Sequence, residues 1–327
     1  MEKDILLHIK PGDKDYVKRL KKKKVEDDYQ TIDIDEKLEF LTLIRRKDRK
    51  YFFLKRKRLL DRIYYDSVKE IDISLFIEGL KSVEKIMINE CSYKDRFICY
   101  NDVFLYQEEE GGPFYIAYTY EKAEGKSLLD YWEQHYYNIQ NVDFALWLLI
   151  TYRLFTSLDI LHSNKIYHRD IKPDNIIYND KGTVENFLKL IDFDFSCSKN
   201  CSSSPGTAAY FSEDVFGKDN GKTNWEKMDI KSALITVLKL YLFPYRNLDD
   251  SFYIQKSRDE YLINEKLIKE KYHERNITNN LQKQILENLI NIFLLDAKSP
   301  DLNAKYIIKM LNNYAGKCIP KQIKYNV

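Results

Sequence analysis

The hydrophobic pattern of this chain changes period once, near residue 121, and that change limits the folds open to it. Before it, apolar residues come in strand-length runs: Leu38 to Ile44, Tyr51 to Lys55, Phe97 to Tyr106 and Phe114 to Tyr120. The charged tip Arg45 to Lys50 between the first two runs predicts a β-hairpin, and the acidic turn Glu108 to Pro113 separates the last two. One helical stretch lies among them, with Leu75, Ile77, Leu80, Val83, Ile86 and Met87 at mostly helical spacing over 73–90. After the change the pattern is helical. Ser127 can cap a short helix through Trp132, and Val142 to Leu161 reads as a long apolar helix. Further helices are predicted at 229–242, around 259–270, at 278–295 and at 303–314. Two short strands, Ile176 to Tyr178 and Phe187 to Ile191, interrupt them, joined across Asn179 to Gly182. The pattern predicts an α+β chain: an extension over 1–28, a small β-rich lobe over 29–121, a larger helical lobe over 122–318 and a tail over 319–327.

Composition adds three bounds. Ten glycines in 327 residues is about 3%, against a usual 7% or so, and none falls between Gly12 and Gly79. The net charge of +2 excludes an overall nucleic-acid-binding character, yet residues 1–62 hold 20 Lys/Arg against 13 Asp/Glu. Such a surplus is either a solvated face or a surface for a polyanion or acidic membrane. The five cysteines form no metal-ligand pattern and, being odd in number, suit a reducing compartment. The N-terminal MEKDILLHIK lacks a signal-peptide core, and the run Phe144 to Ile150 is too short to span a bilayer, so an intracellular, cytoplasmic protein is expected.

The chemistry concentrates in two segments. Residues 166–178 read Ile-Tyr-His-Arg-Asp-Ile-Lys-Pro-Asp-Asn-Ile-Ile-Tyr, and residues 190–195 read Leu-Ile-Asp-Phe-Asp-Phe. Asp170 and Asn175 share the loop before one short strand, and Asp192 ends the partner strand of that hairpin. This pattern gathers hard oxygen ligands of the kind that Mg²⁺ takes together with phosphate and water. Lys172 adds a positive charge where a transferring phosphoryl group needs one.

His168 to Asn175 resembles the catalytic loop of the eukaryotic-type (Hanks-type) protein kinases, and Lys172 resembles the serine/threonine branch. The resemblance implies a bilobal protein-kinase-like fold and use of ATP with Mg²⁺ or Mn²⁺. It assigns Asp170 to the substrate hydroxyl proton and Lys172 to the γ-phosphate, with Asn175 and Asp192 as metal ligands. His168 packs beneath the loop, and Arg169 receives a phosphorylated or acidic group. Gly206 to Glu213 is similar to the end of an activation segment, which gives Thr207 a contact with the catalytic aspartate and lysine. Asp229 resembles the residue that braces the loop backbone. Ser196, Ser198 and Ser202 to Ser204 are candidate phosphosites by position.

The first lobe resembles the family less closely. Lys55 matches the lysine that grips the α- and β-phosphates, with Glu84, or else Glu78, as its partner. Tyr118 matches the gatekeeper, and Thr119, Tyr120 and Glu121 lie where adenine binds. Three departures stand out. No glycine occupies Asp33 to Ile44, where the phosphate loop belongs; Asp194 replaces the glycine of Asp-Phe-Gly; and no arginine near Lys298 is evident as a partner for Glu213. The expected activity is transfer of the γ-phosphate of ATP to Ser/Thr hydroxyls of proteins. The alternatives are a pseudokinase that binds or scaffolds, and a kinase-fold enzyme with a non-protein acceptor. For a viral or pathogen effector the setting becomes the host cytoplasm.

Overall fold

The computed structural model describes residues 11–35, 40–58, 73–89, 91–107, 114–136, 143–183, 186–198, 201, 206–210, 223–243, 253–257, 260–295 and 298–318. The chain forms two compact units, residues 1–124 with 192–197, and residues 125–191 with 198–327.

The first unit is built on β1 (Tyr29–Asp35), β2 (Phe40–Arg45), β3 (Tyr51–Arg58), β4 (Tyr100–Gln107) and β5 (Phe114–Glu121). They form one antiparallel sheet in the order β1-β2-β3-β5-β4. The β2–β3 hairpin closes through the Arg45 N–H to the Lys50 carbonyl, and Asp48 accepts from Arg45 Nε at 3.0 Å. β1 had no clear signature in the sequence, because Gln30, Asp33 and Asp35 blur its alternation. It occupies, with β2, the place expected for a glycine loop, and residues 36–39 between them lie outside the described residues. Period-two alternation gives β3 two faces. Phe52 and Leu54 join Val25, Tyr29, Leu41, Leu43, Phe104, Tyr106, Tyr115 and Ala117 in one apolar cluster, and Lys55 points to the opposite face.

That opposite face is covered by α1 (Ile73–Val83), which continues as a π-helical turn over Glu84–Asn89. Phe76 stacks on Tyr118 with ring centres 5.7 Å apart. The chain segment 192–197 also belongs here. Phe193 meets Phe97 edge-on at 5.9 Å, and Ser196 Oγ lies 2.6 Å from Ser82 Oγ on the helix. The approach is closest at Gly79, where a Cβ would stand 2.5 Å from the Phe193 carbonyl oxygen and 2.6 Å from that of Asp194. Only glycine admits this distance, because backbone on the far side cannot swing away as a side chain can. We expect Gly79→Ala to destabilise the protein by about 1–3 kcal/mol through forced separation of helix and turn. Ser82→Ala, which removes a hydrogen bond without a clash, should cost about 1 kcal/mol. Denaturant midpoints of the two variants check the order.

Part of the N-terminal basic surplus is matched within this unit. Lys23 pairs with Asp102, Arg45 with Asp48, and Lys50 with Glu121. Cys91 and Cys99 are joined as a disulfide.

The second unit is largely helical. A small sheet, β6 (Lys126–Ser127), β7 (Ile176–Tyr178) and β8 (Leu188–Leu190), carries the predicted hairpin. Around it lie α2 (Leu128–Tyr136), α3 (Phe144–Ser163), α4 (Trp225–Leu242), α5 (Glu265–Glu274), α6 (Asn280–Leu294) and α7 (Ala304–Cys318). Polar side chains start several of them: Asp143, Asn224, Asn264 and Asn279 accept from first-turn N–H groups. The helix expected around 259–270 begins only at Glu265, because Glu260–Ile263 pairs as a strand with Tyr253–Ser257.

α3 carries the apolar run Phe144 to Ile150. Its 20 residues, with a mean hydropathy of 1.5 in the most apolar window, are long and apolar enough to cross a membrane, although Phe144 to Ile150 alone is not. In the fold it is a core helix, buried over 61% of that window. Trp147 Nε1 donates to the Val237 carbonyl of α4 at 2.7 Å, and its ring lies 4.7 Å from Tyr241.

Candidate active site

In the second unit, the loop before β7 is held from below. Asp229, fully buried near the start of α4, accepts the backbone N–H groups of His168 and Arg169, each at 2.8 Å. It also lies 3.1 Å from His162 Nε2. These contacts accompany a left-handed backbone at Arg169, with φ of 66°, which a side-chain-bearing residue rarely adopts. His168 is fully buried, and its ring nitrogens have separate tasks. Nε2 lies 3.0 Å from the Ile191 carbonyl, an acceptor, so Nε2 carries the proton. Nδ1 is then free to accept the Asp170 N–H at 3.3 Å. One neutral tautomer satisfies both bonds.

The carboxylate of Asp170, 5% exposed, receives a donor from every side. Oδ1 accepts from the backbone N–H and the hydroxyl of Thr207, both at 2.9 Å. Oδ2 accepts from Asn175 Nδ2 at 2.8 Å and faces Lys172 Nζ at 3.1 Å. Lys172 Nζ also donates to Thr207 Oγ1 at 2.8 Å, so Thr207 relays between the lysine and the aspartate. Pro173 opens the short 3₁₀ turn Pro173–Asn175 with no N–H to satisfy, which sets Asn175 back toward Asp170. The amide nitrogen of Asn175 is thereby taken, and its oxygen is the atom suited to a hard cation. Arg169, expected to receive a phosphorylated group, is wholly buried with its guanidinium 5.2 Å from the centre of the Trp225 ring.

The first unit presents a second cluster. Lys55 Nζ lies 2.9 Å from Asp192 Oδ1 and 2.6 Å from Asp194 Oδ2. Burial works against the Lys55 cation, but the combined pull of Asp194 and Asp192 outweighs it and raises its pKa above the ordinary lysine value. The two aspartates differ: the Asp192 side chain is 36% exposed, and that of Asp194 is 6% exposed. Tyr118, opposite Lys55 in the sheet register, donates its hydroxyl to Asp194 Oδ1 at 2.8 Å. Burial keeps that phenol protonated by raising its pKa, so it serves as a donor. Thr119 is fully buried, its Oγ1 3.5 Å from the Tyr29 hydroxyl, and Tyr120 flanks the cluster, its pKa raised by burial.

Of the two glutamates expected to pair with Lys55, Glu84 lies in the π-helical turn with its carboxylate 3.9 Å from Arg19, and Lys55 Nζ lies against the aspartates of the 192–194 turn. Asp194, the residue that sequence reasoning treated only as a lost glycine, is a functional candidate in its own right. It is Asp192, with φ of 61°, that takes the left-handed conformation, so position 194 needs no glycine. Among the candidate phosphosites, Ser196 is buried and hydrogen-bonded to the Phe193 carbonyl, and Ser198 is exposed. Ser202 to Ser204 and Glu213 lie outside the described residues.

Comparison with known proteins places the chain in a family. Residues 68–300 match the protein kinase domain family, a match that begins beyond Lys55. Protein R436 of Acanthamoeba polyphaga mimivirus is 35% identical over 105 residues, 30% of this chain and 35% of that protein. Developmentally-regulated protein kinase 1 of Dictyostelium discoideum is 30% identical over 116 residues, 33% of this chain and 15% of its own length. CBL-interacting serine/threonine-protein kinase 10 of Arabidopsis thaliana is 35% identical over 107 residues, 31% of this chain and 21% of its own length. The aligned part thus spans about a third or less of each relative. With most of its length matched and the His168 to Asn175 loop assembled around Asp170, this chain belongs to the protein kinase domain family.

Proposed function

We propose that this chain transfers the γ-phosphate of ATP to serine and threonine hydroxyls of protein substrates. The observation that carries the reading is the carboxylate of Asp170, held by Thr207, Asn175 and Lys172. A carboxylate fixed in this way accepts the proton of an incoming hydroxyl without having to reorganise. Lys172, already adjacent, offers its positive charge to the phosphoryl group in transit. Lys55 serves as the cation for the nucleotide phosphates. The oxygens of Asn175 and Asp192 suit Mg²⁺, the first because its amide nitrogen is already bonded and the second because its side chain is partly open. Bound Mg²⁺ supplies charge neutralisation at the phosphates.

A binding or scaffolding role draws support from the absence of glycine between Gly12 and Gly79, which leaves no glycine loop to cover phosphates. The test is incubation of the purified protein with γ-labelled ATP, Mg²⁺ or Mn²⁺ and a generic protein substrate, beside Asp192→Ala. Transfer by the wild type, reduced about 10²-fold or more in the variant, is expected. Wild-type binding of ATP with no transfer under either metal would favour the scaffolding role.

A further inference from the structure

Lys55 sits between two carboxylates, and the more deeply buried one stands where the family resemblance places glycine. Asp194 is 5% exposed, 2.6 Å from Lys55 Nζ through one oxygen and 2.8 Å from the Tyr118 hydroxyl through the other. Burying a carboxylate is costly unless it is paired, and here both oxygens have donors. The turn that carries it is fixed to the helix α1 by the close approach at Gly79 and by the Ser82–Ser196 bond. Asp192, by contrast, is part-exposed and is needed elsewhere if it binds metal.

We infer that Asp194 is the positioning residue for Lys55, taking over the task that the resemblance gives to a glutamate of the 73–90 helix. The phosphate-gripping cation is therefore set by the 192–194 turn and by Tyr118. Glu84, on the turn that continues the helix, lies 3.9 Å from Arg19. This inference rests on the reading of the chain as an ATP-using kinase.

The sign of the effect distinguishes positioning from simple charge. If only local charge mattered, removing a carboxylate beside Lys55 would tighten binding of the anionic nucleotide. Positioning requires the reverse, because an unanchored lysine is misplaced for the phosphates.

The experiment measures ATP affinity by calorimetry without an acceptor, together with KM and kcat, for wild type, Asp194→Asn, Tyr118→Phe, Glu78→Gln and Glu84→Gln. Asn keeps the size of Asp and an acceptor for Tyr118. We expect Kd and KM for ATP to rise about tenfold in Asp194→Asn, with kcat changed by less than about threefold. Tyr118→Phe, which removes one of the two donors to Asp194, should raise Kd for ATP in the same direction but by less, about threefold, and Glu78→Gln and Glu84→Gln should stay within about twofold of wild type. Should Asp194→Asn fail to fold, Asp194→Gly carries the same expectation. Unchanged or tighter ATP binding in the Asp194 variants, or a larger loss in Glu78→Gln, overturns the inference while leaving the kinase reading intact. Absence of ATP binding by the wild type overturns both.

Discussion

Asp170→Asn should lower phosphoryl transfer by about 10²- to 10⁴-fold, the usual weight of one general base, in a protein that still folds. The expected loss follows from what surrounds the carboxylate. Asp170 Oδ1 meets two donors from Thr207, and Oδ2 meets the Asn175 amide and the Lys172 ammonium. An asparagine can turn its oxygen toward only one of those sides. Its NH₂ then opposes donors on the other side, which costs about 1–3 kcal/mol of stability, while its oxygen is too weak a base to take a hydroxyl proton. Activity and melting temperature measured on one preparation separate the two effects. A loss under about tenfold would remove Asp170 from the role of base.

Asp229→Ala should act chiefly on stability and take the catalytic loop with it. The carboxylate is fully buried, bonded to the His168 and Arg169 N–H groups and adjacent to His162. Alanine leaves those donors buried and unanswered, at about 1–3 kcal/mol for each. A net loss of about 3–5 kcal/mol is expected, the range for an opened buried polar network. With roughly 2–4 °C per kcal/mol for a unit of this size, the melting temperature should fall by about 6–20 °C. The left-handed backbone at Arg169 loses its restraint as well, so transfer should fall beyond what unfolding explains. Asp229→Asn keeps one acceptor oxygen and should lose about half as much stability.

What was legible in the sequence was local. His168 to Asn175 is contiguous, and the bonds that assemble it span five residues or fewer, apart from those to Thr207, Asp229 and Ile191. The hairpin after it and the long helices follow from short-range periodicity. Lys55 and Asp194 lie 139 positions apart, and nothing near either residue announces that they meet. Glu84 falls in a π-helical turn that the spacing of the apolar residues does not announce. The strand Glu260–Ile263 was read as helix because pairing with Tyr253–Ser257 overrides local preference. The scarcity of glycine was visible at once, but its meaning at Gly79 depended on a backbone 114 positions away.

The most direct measurement is the chemical identity of the labelled product. Wild-type protein is incubated with γ-labelled ATP, Mg²⁺ and a generic protein substrate, and the labelled protein is hydrolysed in acid. Label recovered as phosphoserine and phosphothreonine, and lost when Mg²⁺ is withheld, is the predicted result. A wild-type protein that binds ATP but leaves the substrate unlabelled, or that places the label only on a small molecule, would contradict it.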